Sequence, residues 1–371
     1  MDLNEIRKKI DNLDKQLLAL FEERMELCTQ VAQYKKANNL PVFQGSRETE
    51  ILERVSKESV PKFQKSSQKF FISLLDISKQ LQMQLITSME ETLVFPEPHF
   101  ETAKKVGCQG IRGANSEIAT QNFFPNRDII FYPTFKSVFE AVEKGEIEYG
   151  VLPIYNSTTG SVTQTNDLMG DYNFFITAMN TVEVTNCIAV RPGITLEKIT
   201  KVYSHPQALS QCSDFLEKHH LAKESYDNTA TAAKMVSQSN EPFAAICSEE
   251  CANLNGLHIL ERKISNVVPN YTKFICITKN TEVSPEASVI SCMMKLANIP
   301  GSLSNSLNKF FLQGLDLVKL ESRPIQDGSF DVMFYVDFKG NLLDRTIAPF
   351  LNELCKSCTD FKLLGNSVVF S

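Results

Sequence analysis

The sequence predicts a multidomain protein: an all-α helical module, then a two-lobed α/β domain, then an α+β module of ferredoxin-like order. Three observations predict it. Residues 1–40 contain neither Gly nor Pro and carry an apolar heptad seam. From Val106 to about Lys279, short apolar strand-like runs alternate with helical stretches. The tail, roughly eighty residues, reads strand, helix, strand, strand, helix, strand.

The seam of the first helix is Leu3, Ile6, Ile10, Leu13, Leu17, Leu20, Leu27, Val31 and Tyr34. At about 1.5 Å per residue such a helix reaches roughly 50 Å. That is too long for a lone globular helix, so it is expected to lie along another long helix, from a second copy of the chain. Pro41 ends it. A second helix is expected from about Arg47 to Val55 and a third from about Lys65 to Ile86. Residues 87–104 carry two prolines and acidic character, and read as linker. The expected boundaries are therefore a helical module at 1–90 and a linker at 91–104.

In the middle domain, 105–282, the runs DIIFYP, YGVLPIYN, NCIAV, KVYSHP and FAAICS read as strands. Helical patterns stand at Phe135–Glu143, Ala208–His219 and Thr229–Ser237. The alternation predicts a largely parallel sheet in two halves with a cleft between them. After a break near Asn280–Glu286, the tail module, 286–369, reads SVISCMMKLA (strand), NIPGS (turn), LSNSLNKFFLQG (helix), LDLVKLESRP and DVMFYVDFKG (strands), NLLDRTIAPFLNELCKSC (helix) and FKLLGNSVVF (strand).

Bulk properties narrow the function. With 371 residues, 43% hydrophobic and 22% charged, the chain has the make-up of a globular protein. A net charge of −6 argues against a general nucleic-acid binder, so any basic site must be local. The start, MDLNEIRKKI, has no apolar core of a secretory signal, and no apolar run is long enough to span a membrane. Ten scattered cysteines then predict reduced thiols and a cytoplasmic location. Cys355 and Cys358 form a C-x-x-C, and Cys247 and Cys251 are four apart. Neither set has a second pair or a His at zinc spacing, so no metal or other cofactor is expected.

Local cations do occur. Arg24 stands between Leu20 and Leu27, where the seam demands an apolar residue, and a core-facing Arg needs an anion. A paired carboxylate or a register-fixing role would also account for it. Arg7 and Lys35 share one stripe beside the seam, four heptads apart. Ser78 and Gln82 are four apart on the face of the third helix that carries Phe71, Leu74 and Leu85. Two uncharged polar groups on a buried face need a partner. A small dianion in the bundle core would satisfy Arg7, Arg24, Lys35, Arg47, Ser78 and Gln82 together. In the middle domain, GVLPI-Y-NSTTGSV, SHPQALSQC, NTATAAKMV and NYTKF place hydroxyls and backbone N–H groups at strand ends, the make-up of a small-anion cleft.

The run L-x-x-I-R-x-x-I-D-x-L-D with Arg24, Lys35, PV-x-x-x-x-RE and S-x-x-x-Q resembles the all-helical chorismate mutases over about ninety residues. That resemblance implies rearrangement of chorismate to prephenate in an intertwined dimer. Arg7, Arg24 and Arg47 would clamp the carboxylates, Arg7 from the partner chain. Lys35 and Gln82 would donate to the ether oxygen, Glu48 would hold the ring hydroxyl, and Ser78 would help a carboxylate. Gln44 stands where the family often has Asp. The chemistry suits such a set: a unimolecular pericyclic shift needs a compact conformer and charge stabilisation, not a nucleophile.

The middle strings, in this order, resemble prephenate dehydratase, with a fold similar to periplasmic binding proteins. The resemblance gives the acid role to Thr272. It places Asn156, Ser157, Thr158 and Ser161 along the cleft, with Ser204 and Gln207 from the second lobe; His205 at a strand end reads rather as a turn residue. Lys273 replaces the Arg of T-R-F, Tyr155 the Glu of P-I-E-N-S, Asn266 the usual Asp and Asn186 a common His. Asn298–Leu307 and Leu320–Pro324 resemble the ACT domain of these enzymes. They imply an allosteric phenylalanine site from Asn298, Pro300, Gly301, Ser302, Leu303, Glu321, Ser322 and Arg323. The expected protein is thus a bifunctional, homo-oligomeric enzyme, chorismate to prephenate to phenylpyruvate, inhibited by phenylalanine. Tyr155 and Lys273 motivate a second reading, an active mutase whose middle domain only senses ligand. A third is a coiled-coil arm on a solute-binding protein, in which Arg24→Leu would leave activity intact.

Overall fold

The computed structural model describes residues 2–38, 40, 42, 45–87, 94–325 and 331–370. The chain folds as two compact units, 1–94 with 294–361, and 95–293 with 362–371.

The first unit opens with α1 (Leu3–Ala37), as the Gly- and Pro-free run predicts. Its positions 2–20 are exposed throughout. Packing begins at Phe21, and Phe21, Met25, Cys28 and Ala32 form a part-buried stripe at helical spacing. The heptad seam is a different stripe and stays exposed, Leu13 at 56% and Leu20 at 63%. α2 (Gly45–Glu58) and α3 (Gln64–Thr87) are both longer than their apolar residues suggest. Between them Pro61–Phe63 makes one 3₁₀ turn that reverses the chain, and α1 and α2 both pack on α3.

The second unit starts before the sheet does. Residues 95–105, whose prolines suggest a linker, are packed: Ala103 is fully buried, and the His99 N–H donates to the Tyr149 hydroxyl at 3.1 Å. Phe100 anchors the segment by packing its ring against those of Phe124 and Tyr149. The elements that follow are β1 (Val106–Gln109), α4 (Asn115–Phe123), β2 (Ile129–Tyr132), α5 (Phe135–Glu143), β3 (Tyr149–Asn156), β4 (Gly160–Ser161), α6 (Thr163–Asp171) and β5 (Phe175–Glu183). The chain then leaves for a second lobe. That lobe holds β6 (Cys187–Val190), β7 (Lys201–Ser204), α7 (Pro206–Gln211), α8 (Ser213–Lys218), β8 (Lys223–Ser225), α9 (Thr229–Gln238), β9 (Phe243–Cys247), α10 (Glu249–Leu254) and β10 (His258–Glu261). It returns to the first lobe through β11 (Tyr271–Thr278).

The expected largely parallel sheet is corrected to two mixed sheets. β1 lies parallel to β2 and β3, but β11 enters antiparallel between β3 and β5. In the second lobe β7 runs parallel to β8 and β9, while β6 is antiparallel to β9 and β10. The returning chain imposes the reversal, because β11 arrives from the lobe that β5 left. The single helix expected over Ala208–His219 is also corrected. It is two short helices, with Cys212 closing α7 and opening α8.

Apolar packing holds each lobe. Phe123, Phe124, Tyr149 and Phe274 fill the first, and Ala230, Ala232, Ala233 and Ala245 let α9 sit close on the second sheet. A Cβ at Gly150 would come 2.8 Å from Val138, so α5 requires glycine at that point of β3.

The remaining elements are β12 (Val289–Lys295), α11 (Ser302–Leu312), β13 (Leu317–Pro324), β14 (Val332–Lys339), α12 (Ile347–Lys356) and β15 (Asp360–Phe370), in the expected βαββαβ order. α12 starts later than its apolar pattern. Asn341 and Asp344 accept from the backbone N–H of Leu343 and Thr346 at 2.9 Å each, and these turns hold the chain off the helix. β13 pairs antiparallel with β14 and alternates strictly, with Lys319, Glu321 and Arg323 half-buried and Val318, Leu320 and Ser322 exposed.

Candidate functional site

In the helical module the lower half of α1 meets α3 through polar side chains. The Arg24 guanidinium donates to the Ser78 hydroxyl, and Ser78 in turn donates to the Leu74 carbonyl at 2.6 Å. The Lys35 ammonium donates to Gln82 Oε1 at 3.1 Å and to the Val42 carbonyl at 2.7 Å. Gln82 Nε2 donates to the Ser78 carbonyl at 3.1 Å. Lys35, Ser78 and Gln82 are all buried, so these bonds exclude water. An ammonium has three donors and a guanidinium five, so both cations keep N–H groups for a ligand.

Glu48, at the start of α2, is brought to the same region by Lys79, whose ammonium lies 3.3 Å from its carboxylate and 2.8 Å from Asp76. Burial lowers the Lys35 ammonium below the ordinary lysine range, and the charges of Glu48 and Cys28 offset this only in part. Two predicted residues are not brought in. Arg7 is exposed, seventeen positions before Arg24, or about 25 Å at ~1.5 Å per residue. Arg47 is half-exposed and pairs with Glu50 at 2.7 Å. Gln44 lies outside the described residues.

In the two-lobed unit, Asn156 is the hub. Nearly buried at the end of β3, it donates through Nδ2 to Asn270 Oδ1 at 2.8 Å and to Thr272 Oγ1 at 2.9 Å. Its Oδ1 accepts from the N–H groups of Thr158 and Thr159 at 3.1 and 3.0 Å. This fan of bonds folds the NSTTG turn over the strand end. Ser157 bonds the Tyr271 backbone in both directions. Ser161, in β4, stands opposite Tyr155. From the second lobe, Gln207 donates to Thr159 Oγ1 and Gln211 to Thr158 Oγ1, each at 3.0 Å. Thr158, Thr272 and Gln207 therefore converge where the lobes meet, whereas Ser161 lies on the Tyr155 side of the sheet.

Ser204 does not join them. It is fully buried and its hydroxyl donates to the Ile246 carbonyl at 2.6 Å, which ties β7 to β9. His205 caps α7, accepting at Nδ1 from the Gln207 N–H, and burial lowers its pKa. Asn186 and Asn266 sit where the chain passes between lobes, bonded to Ser265 and Ser213. Tyr155 and Lys273 are opposite each other in the β3–β11 register, one step from the Asn156–Thr272 pair. Successive strand residues face opposite ways, so the two departures from the family motif share the face away from Thr272.

Sequence reasoning missed Asn270, Gln211, Asp76 and Lys79. Asn270 lies within NYTKF beside Thr272. Gln211 is one helical turn beyond Gln207 and carried that signal.

In the tail module, a groove of about 190 Å³ is lined by Asn298, Ser302, Leu303, Val332 and Phe334, with Asp331 at one side bonded to Lys295 at 2.8 Å. Pro300 and Gly301 form the turn that opens α11, Gly301 with φ +92°. Glu321, Ser322 and Arg323 stand on β13 and do not line the groove. Glu321 pairs with Lys319 at 3.0 Å, and Arg323 lies over the Tyr335 ring.

The helices thus bring Arg24 and Lys35 onto Ser78 and Gln82, and the two α/β lobes bring amides and hydroxyls together around Asn156. Residues 6–83 match the family model for chorismate mutase type II, and residues 106–282 that for prephenate dehydratase. The chain is 31% identical over 370 residues to the bifunctional chorismate mutase/prephenate dehydratase of Enterobacter agglomerans, covering 97% of this chain and 94% of that one. It is 34% identical over 274 residues to the chloroplastic arogenate dehydratase/prephenate dehydratase 2 of Arabidopsis thaliana, 71% of this chain and 72% of that one. Its fold is similar to a prephenate dehydratase from Arthrobacter aurescens solved in complex with L-Phe. There the TM-score is 0.64 at 25% identity, covering 71% of this chain and 89% of that one. The chain belongs to the family of bifunctional chorismate mutase/prephenate dehydratases. Among the described residues no helix is long and apolar enough to cross a membrane.

Proposed function

We propose that the helical pocket rearranges chorismate to prephenate and that the two-lobed cleft converts prephenate to phenylpyruvate, both under control of phenylalanine at the tail groove. The observation that carries the first step is the pair of bonds Arg24–Ser78, part-buried, and Lys35–Gln82, buried. Arg24 holds a carboxylate by its guanidinium fork, and Lys35 donates to the ether oxygen as negative charge builds there. Gln82 turns its amide from Ser78 towards the same oxygen, and Glu48 holds the ring hydroxyl. Arg47 leaves Glu50 to reach the second carboxylate. Arg7 acts from a second copy, because its own helix carries it too far from Arg24. The exposed seam of α1 supports that dimer.

In the cleft, Thr272 passes its proton to the departing ring hydroxyl, which leaves as water. The ring carboxylate leaves as carbon dioxide, and its bonding pair completes the aromatic ring. One proton is taken up overall, and solvent restores it to Thr272. A threonine hydroxyl is a weak acid, but the Asn156 Nδ2–H that it accepts stabilises the oxygen as the proton leaves. Ser157, Thr158 and Gln207 position the substrate, while Ser161 shares the face of Tyr155. The sensor-only reading loses its motive, because Tyr155 and Lys273 lie on the face away from Thr272. The tail groove, with Asn298, Ser302 and Leu303 at the start of α11, suits an amino acid in an ACT-type module.

Separate assays with chorismate and with prephenate test the assignment. Thr272→Val is expected to lower phenylpyruvate formation about 100-fold or more and leave chorismate loss intact. Arg24→Leu is expected to do the reverse. Undiminished phenylpyruvate formation by Thr272→Val would overturn the acid role.

A further inference from the structure

We propose that Lys79 is a positioning residue for the mutase reaction and the joint through which the C-terminal helices bear on it. The inference rests on the mutase reading above. α3 turns about 100° per residue, so Ser78 and Gln82 share one face and Gln80 and Met83 another. Lys79 stands between the two. On the first side its side chain, 12% exposed, holds the Glu48 carboxylate at 3.3 Å and is itself anchored by Asp76 at 2.8 Å.

On the second side α3 meets the tail. Gln80, 9% exposed, bonds the backbone of α11, reaching the Lys309 carbonyl at 3.3 Å in one amide orientation and the Leu312 carbonyl at 3.2 Å in the other. Lys309 of α11 pairs with Glu353 of α12, both side chains nearly buried. Glu353 lines a small cavity together with Met83 and Gln84 of α3, close enough for its charge to favour the ammonium form of Lys79. One partly buried ammonium thus faces the charges of Asp76, Glu48 and Glu353. A partly buried carboxylate such as Glu48 is held in place by its counter-charge. A movement of α12 that takes Glu353 away or brings it nearer changes what Lys79 supplies to Glu48. The mutase site is then completed by residues nearly three hundred positions downstream.

Kinetics of the full chain on chorismate test this. Lys79→Gln is expected to lower kcat about tenfold, and Lys79→Arg to stay within about threefold of the unvaried chain. In a Glu48→Gln background, Lys79→Gln is expected to cost less than about twofold more, because its effect passes through Glu48. Glu353→Gln is expected to change chorismate kcat about two- to threefold and leave prephenate turnover unchanged. An unaltered kcat in Lys79→Gln overturns the inference alone. So does a full Lys79→Gln loss that persists in the Glu48→Gln background, which marks a merely structural lysine. If Lys79→Gln does not fold, shown by circular dichroism, the Lys79→Arg and Glu353→Gln chains carry the test, and wild-type kcat in Glu353→Gln overturns the joint. A chain with no chorismate turnover at all overturns the mutase reading, and the inference with it.

Discussion

At Lys35 two demands compete for one ammonium. Burial lowers its pKa, while the proposed chemistry needs it protonated. The unfolded chain keeps this proton up to about the ordinary value of 10.5, and the folded chain releases it sooner. Between those two points the unfolded state binds more protons, so the folded state gains stability from this group as pH rises through the window. Mutase turnover is expected to run the other way and fall through the same window, well before an exposed lysine would titrate. Lys35→Arg keeps its charge throughout, so its pH profile is expected to lose that alkaline fall at a kcat about 10- to 100-fold lower. A chorismate profile for the unvaried chain that stays flat to 10.5 would remove Lys35 from the reaction. Lys35, Ser78 and Gln82 were legible in the sequence because polar groups at helical spacing on an apolar face need a partner. Lys79 was not, since one more lysine on a helix reads as solvated surface. Ser204 looked like a cleft residue because nothing in SHPQ tells that its hydroxyl is already bonded to Ile246.

At the scale of the element, α1 carries two stripes that one pattern of apolar spacing merged. Phe21, Met25, Cys28 and Ala32 pack within the chain, and Leu3, Ile6, Ile10, Leu13, Leu17 and Leu20 do not. Arg24 lies on the border between them. This seam, five turns unpacked within the chain, would be covered by a second α1 in the proposed dimer. A charge at its middle is expected to break that association. Leu17→Glu should give a monomer by light scattering and cut chorismate turnover about 100-fold, because Arg7 then has no partner site to enter. Prephenate turnover by the same chain should hold. An oligomer with full mutase activity would assign the seam another role. Helices were readable here because period and punctuation lie in adjacent residues. Strand direction was not, because it depends on where the chain returns: β11 reads like any other apolar run, and only its arrival from the second lobe makes it antiparallel. The break at Cys212 was equally silent, since SQCSDF holds no Gly or Pro.

At the scale of the molecule, composition marks breaks near 90 and 280 but not that 294–361 gathers with 1–94 in one unit. The side chains that join them, Gln80, Lys309 and Glu353, have the look of ordinary surface residues until α3, α11 and α12 are side by side. The proposed phenylalanine groove and the proposed mutase site therefore belong to one unit, with α11 starting at the groove. Gly301 is the point at which to uncouple them. It caps α11 at φ +92°, and its carbonyl accepts from the Asn305 N–H at 2.8 Å, the first bond of the helix. A Cβ there would meet nothing closer than 4.0 Å, so space is not the obstacle. The obstacle is the left-handed backbone, which costs a β-branched residue about 1–3 kcal/mol. Gly301→Val is therefore expected to open the turn that presents Asn298, Ser302 and Leu303 to the groove. Calorimetric titration with L-phenylalanine should show affinity about tenfold weaker or lost, and turnover of both substrates should become indifferent to added phenylalanine. Turnover without phenylalanine should stay near that of the unvaried chain, because Gly301 contributes no group to either site. Undiminished L-phenylalanine binding by Gly301→Val would place the effector elsewhere on the molecule.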